Sequence, residues 1–117
     1  MNSYIAVALG GAIGATLRFA VSEWVGNPQG TLMVNAVGSL LLGVCMAALA
    51  SEMISKELTL LLGTGILGAF TTMSTFSVET IEMWSDDSSK AIGYVLLTMF
   101  LCPLLALAGW KAFEATA

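Results

Sequence analysis

Hydroxyls crowd the stretch Gly68-Ala69-Phe70-Thr71-Thr72-Met73-Ser74-Thr75-Phe76-Ser77, which sits inside a charge-free run from Leu58 to Val78. Each hydroxyl both donates and accepts hydrogen bonds, and lipid offers it no partner. So many of them at membrane depth point to a polar pathway or a helix break, hence to permeation rather than anchoring. Asn35 sets an amide midway along a second apolar run, and Glu79 sets a carboxylate one helical turn past Phe76. Arg18 closes the first apolar run, and Tyr94 and Thr98 share a face of a later one at a spacing of four. His is absent, so a histidine proton relay is excluded, and no nucleophile–base pair can be assembled for an enzyme. Cys45 and Cys102 lie in apolar runs without metal-ligand spacing and read as packing residues rather than a disulfide or redox pair. A net charge of −4 gives no electrostatic support to a nucleic-acid partner.

The elements that must position these groups are membrane helices. Of 117 residues 57% are hydrophobic and 10% charged, against roughly 25% charged in soluble domains. The uncharged stretches are Met1–Leu17, Thr31–Ser51, Leu58–Val78 and Ala91–Trp110. A spanning helix needs about 20 apolar residues; three stretches reach that length, and the first does so with Arg18 at its end. The expected fold is an all-α membrane protein of one domain, 1–117, in the cell (plasma or inner) membrane. Its four helices are expected near 3–23, 31–51, 57–84 (broken near 68–72) and 89–114. The first is too long and glycine-rich for a cleavable signal peptide. Asn27-Pro28-Gln29-Gly30 reads as a turn, and Ser88 or Ser89 as the N-cap of the fourth helix.

Four spans put both termini on one side. Lys56 and Lys111 then face one aqueous phase and Arg18 and Lys90 the other, so the positive-inside rule gives no orientation. Either four basic residues are too few to count, or inverted copies pair as an antiparallel dimer. Gly10, Gly11, Gly14 and Ala15, and then Ser39, Gly43 and Ala47, form small-xxx-small patterns that let helix backbones approach in lipid.

Three motifs occur in order: Gly10-Gly11-Ala12-Ile13-Gly14-Ala15-Thr16-Leu17-Arg18, Gly30-Thr31-Leu32-Met33-Val34-Asn35-Ala36-Val37-Gly38-Ser39, and Thr71-Thr72-Met73-Ser74-Thr75-Phe76-Ser77. Across essentially the whole chain the sequence resembles the CrcB/Fluc fluoride channels. That resemblance implies passive fluoride export by an antiparallel dimer with two pores and a central sodium ion. It implies a fluoride contact at Asn35, with Thr72, Ser74 and Thr75 as further donors. An interhelical hydrogen bond for Asn35, and back-bonding of the hydroxyls to their own helix, are the alternatives. Phe76 would offer its positive ring edge to the anion. Met73 stands where the family usually has a second pore phenylalanine. It is either a tolerated exchange or the mark of a chain that needs a homologous partner subunit. Gly68 and Thr71 match the helix break whose backbone carbonyls would hold sodium, with Ala69 replacing a frequent second glycine. Arg18, either snorkelling to headgroups or raising the positive potential at the pore approach, completes the implied pathway with Glu79, Tyr94 and Thr98. Glu79 is left between a gating and a hydrogen-bonded role.

A small multidrug-resistance-type proton-coupled exporter has the same length and helix count. It needs an intramembrane carboxylate, commonly in its first helix, where this chain has no acid before Glu23. An accessory membrane subunit without transport of its own is the third reading.

Overall fold

The computed structural model describes residues 1–116 and is helical throughout. The elements are α1 (Ser3–Val25), α2 (Gln29–Ala50), α3 (Lys56–Thr59), a π-helical segment π1 (Leu60–Leu67), α4 (Gly68–Phe70), α5 (Met73–Asp86) and α6 (Ser88–Thr116). From α3 to α5 the chain forms one span, Lys56–Asp86, so four helices are long and apolar enough to cross a bilayer. With the chain's composition, this makes it an all-α, multi-pass membrane protein.

Local chemistry sets the helix ends. The side chains of Asn2 and Ser55 accept hydrogen bonds from the Tyr4 and Leu58 amides and start α1 and α3. Gly26 ends α1 at φ 81°, a conformation that suits a residue without Cβ. The fourth span is capped by Asp87, whose Oδ1 accepts from the Ser89 amide at 3.0 Å, not by Ser88 or Ser89. A carboxylate at this position also complements the positive end of the helix, which a hydroxyl does less well.

Helix α1 packs on π1, and α2 packs on α6. The small residues serve those two seams. A Cβ at Gly10 would meet the Leu61 carbonyl, and one at Gly14 the Ile66 carbonyl. Gly43 lies against the Ala106 backbone, and Gly109 against the Leu40 carbonyl. Gly11 faces open space and belongs to neither seam. Small residues replace the hydrophobic effect as the means of association in lipid, because backbone contact maximises dispersion. Correspondingly, large apolar residues such as Leu9, Phe100 and Leu104 lie exposed on the outside.

The π segment went unseen in the sequence. Its i→i+5 hydrogen bonds widen the helix over eight residues while keeping the backbone bonded within the helix. Gly63 and Gly65 are buried inside it, and Gly65 abuts the Gly10 backbone. At the aqueous side of this span, the N-terminal ammonium pairs with Glu57 at 2.6 Å.

Candidate functional site

Helical geometry fails in the third span at two residues, Thr71 (φ −87°, ψ 158°) and Thr72 (φ −152°, ψ 116°). Gly68 itself is helical (φ −62°, ψ −35°), so the break sits at the C-terminal end of the expected 68–72 window. Side chains from other helices take over the freed backbone. Asn35 Oδ1 accepts from the Thr72 amide at 2.7 Å, and Asn35 Nδ2 donates to the Thr72 carbonyl at 3.1 Å. One amide thus clamps both polar groups of one peptide-bonded residue. A carboxamide has two N–H donors, so a single Asn35 N–H is left for another acceptor.

Arg18 Nε donates to the Ala69 carbonyl at 3.0 Å. Helix α1 continues two turns beyond Arg18, to Val25, close to the expected end near 23. The guanidinium thus reaches, through Nε, a carbonyl that the break exposes.

Beyond the break, Thr72 caps α5 through its hydroxyl, which accepts from the Thr75 amide at 3.2 Å. The same oxygen lies 3.3 Å from Ser74 Oγ and donates to Thr75 Oγ1 at 3.1 Å. These hydroxyls form a cluster and do not back-bond to their own helix. Back-bonding is instead found at Thr71, Ser77 and Thr80, whose hydroxyls donate to carbonyls four residues earlier.

With the Thr72 and Thr75 amides engaged by side chains, the Gly68 and Thr71 carbonyls lose the donors a continuous helix would give them. Gly68 keeps only a 3.5 Å contact from the Thr71 hydroxyl. Neutral carbonyl oxygens of this kind suit a small hard cation, so both positions fit the group expected of them.

One turn further, Phe76 is buried edge-on against Tyr94, with ring centroids 5.0 Å apart at 64°. Glu79 is buried behind them, and both its oxygens are engaged. Thr31 Oγ1 donates to one and the Tyr94 hydroxyl to the other, each at 2.8 Å. Glu79 is thus hydrogen-bonded through both oxygens. Thr31 was missed in the sequence, although it sits one turn before Asn35 on the same face of α2. Thr98 is also buried, and its hydroxyl has no partner among the described residues. Met73 lies at the surface, 63% exposed, and Ser74 is exposed beside it.

Three cavities surround the break. A small recess of about 130 Å³ lies on one side, lined by Arg18, Asn27, Thr31, Thr72 and Thr75. It neighbours an open groove along α5 that contains Ser74, Thr75 and Glu79. On the other side a cavity of about 290 Å³ is lined by Asn35, Thr72, Phe76 and Thr98. Thr72 belongs to the walls of both the recess and the cavity, so the break divides two spaces and puts polar groups into the wall of each.

Residues 5–110 match the family described as CrcB-like protein, Camphor Resistance (CrcB). The chain belongs to the CrcB family. It is 42% identical to a protein of Thermotoga petrophila described as fluoride-specific ion channel FluC, over 82% of each chain. Proteins with the same description from Shewanella loihica (41% identical, over 93% of this chain and 94% of the relative) and Oceanobacillus iheyensis (45%, over 86% and 83%) are similarly close. The relatives so described are ion channels, a class of transporters and not of enzymes.

Proposed function

We propose that this chain is a fluoride channel that lets the ion leave the cell passively, working as a pair of inverted copies. The observation that carries the reading is the run of neutral donors along the broken third span, in a chain whose relatives bear the name fluoride-specific ion channel. Fluoride is strongly hydrated, so a pore must replace its water with hydrogen bonds yet hold it too weakly to trap it. The remaining Asn35 N–H, the Thr72–Ser74–Thr75 hydroxyl cluster and the ring edge of Phe76 offer such contacts. None of them carries a full charge.

The charged groups nearby are restrained. Arg18 is held by the Ala69 carbonyl and would raise the positive potential at the approach. Glu79 receives two hydroxyl donors, which offset the repulsion a bare carboxylate would exert on an anion. Tyr94 and Thr98 extend the polar wall beyond Phe76. Sodium, held by the Gly68 and Thr71 carbonyls of two inverted copies, would stabilise the exposed backbone oxygens by its positive charge. The lipid bilayer surrounds the pair.

The test is efflux from liposomes loaded with potassium fluoride, triggered by valinomycin and followed with a fluoride electrode. Rapid efflux with strong discrimination against chloride is expected. Equal chloride leakage, or efflux that requires a pH gradient, would overturn the proposal. The exposed Met73 gives a second reading its footing, in which a homologous subunit supplies a phenylalanine. Silence from this chain alone, with flux restored by such a subunit, would establish that version.

A further inference from the structure

The cavity of about 290 Å³ beside the break is rich in sulfur. Met73, Met99 and Cys102 all line it, from α5 and α6. Thr98, one turn before Cys102, lines it as well, and its buried hydroxyl has no partner among the described residues. Cys102 is a free thiol and is partly exposed. No carboxylate or imidazole is among the lining residues.

We propose that this cavity is a binding site for a soft monovalent metal ion of the silver(I) or copper(I) class, and that an ion seated there blocks permeation. Thiolate and thioether ligands select such ions, whereas the oxygen-preferring hard cations find no charged ligand here. On binding, the Cys102 thiol gives its proton to water and a sulfur–metal bond forms. Cation and thiolate then sum to a neutral complex, which matters at membrane depth because a lone charge there is costly. The Met73 and Met99 thioethers complete the coordination without adding charge. The Thr98 hydroxyl is placed to donate to the metal-bound thiolate, which gives this buried group the acceptor it lacks among the described residues. Asn35 and Thr72 form part of the same wall, so a metal in the cavity would occupy space beside the donors of the pathway.

The blocking half of the proposal rests on the channel reading, whereas the binding half does not. Silver binding is therefore measured first, on purified dimer in detergent with nitrate as the only small anion. One silver per chain is expected, retained in Cys45→Ser and lost in Cys102→Ser. Met73→Leu and Met99→Leu should each weaken binding about tenfold, because each removes one soft ligand. Thr98→Val should weaken it by about tenfold as well, through the lost hydrogen bond to a ligand. If Cys102→Ser binds silver as before, silver is held elsewhere and the cavity is no such site; if both methionine variants match the parent, the thiol reacts alone and the proposed coordination fails. In liposomes, silver should stop fluoride efflux by the parent and by Cys45→Ser but not by Cys102→Ser. Stoichiometric binding with undiminished efflux would overturn the block while leaving the site standing.

Discussion

The third span departs from regular helix twice, and the two departures are handled in opposite ways. In π1 the backbone keeps its hydrogen bonds within the helix and merely widens, sealed against α1 by glycine contacts. From the Thr72 amide onward the backbone gives up its helical bonds at the break and is taken over by Asn35, Arg18 and the Thr72 hydroxyl. The first device changes shape without exposing polarity. The second exposes polarity under control, since each borrowed bond leaves neighbouring carbonyls or N–H groups available to a ligand. A membrane protein needs both, because lipid tolerates altered geometry more readily than unpaired backbone.

Disrupting the sealed region should have the largest effect. Gly14→Val places a branched side chain where even a Cβ meets the Ile66 carbonyl. The clash is with backbone, so relief requires α1 to move off π1, at a cost of about 1–3 kcal/mol or more. We expect loss of monodisperse protein on size exclusion in detergent, with no selective change in ion preference. Full recovery of folded protein would mean that the seam is looser than its geometry.

Disrupting the open region should act on flux more than on folding. Asn35→Ala leaves both polar groups of Thr72 without their partner, a penalty of about 1–3 kcal/mol for each. Fluoride efflux should fall by at least about 100-fold while the dimer still elutes intact, as expected when a positioning contact rather than the scaffold is lost. Asn35→Asp retains the acceptor for the Thr72 amide but loses the donor, so it separates the two halves of the clamp. Unchanged efflux in Asn35→Ala would remove this residue from the pathway.

The same contrast explains how much the sequence disclosed. Four spans and a break near 68–72 were legible because hydropathy and hydroxyl clustering are local signals. Asn35 stood out for the same reason, as a lone amide in an apolar run. Its partner was not legible, because the Asn35–Thr72 bonds join residues 37 apart. The partner of Arg18 was not legible either, because the Ala69 carbonyl lies 51 residues away. Glu79 lacked an explanation until Thr31 and Tyr94 were found at its two oxygens. The π segment had no signal beyond Gly63 and Gly65, which alternate as readily in ordinary membrane helices.

Between the two regions stands the Glu79 cluster, which is closed like π1 but made of side chains. Tyr94→Phe removes one donor from Glu79 and leaves the ring contact with Phe76 in place. A buried carboxylate deprived of one of two hydroxyls costs about 1.5–3 kcal/mol, since bonds to charged groups are the stronger ones. Efflux should drop about tenfold or more, as the partly bared carboxylate repels the anion beside it. Thr31→Val should give a drop of similar size, because it strips the other oxygen. A drop in Tyr94→Phe with none in Thr31→Val would locate the effect in the tyrosine hydroxyl itself.

The smallest effect is expected at the surface end of the open region. Met73 is 63% exposed and touches the polar cluster only through its place in the wall of the larger cavity. Met73→Phe exchanges a flexible thioether for a rigid ring of similar reach, at a cost in folding of less than about 1.5 kcal/mol. If inverted copies of this chain alone form the channel, efflux should be kept or raised less than about tenfold, the ring edge adding one weak attraction for the anion. If the chain requires a homologous subunit, the same substitution should turn a silent protein into an active one. Misassembly would assign Met73 to packing between subunits, and would move the boundary between the sealed and open regions past the start of α5.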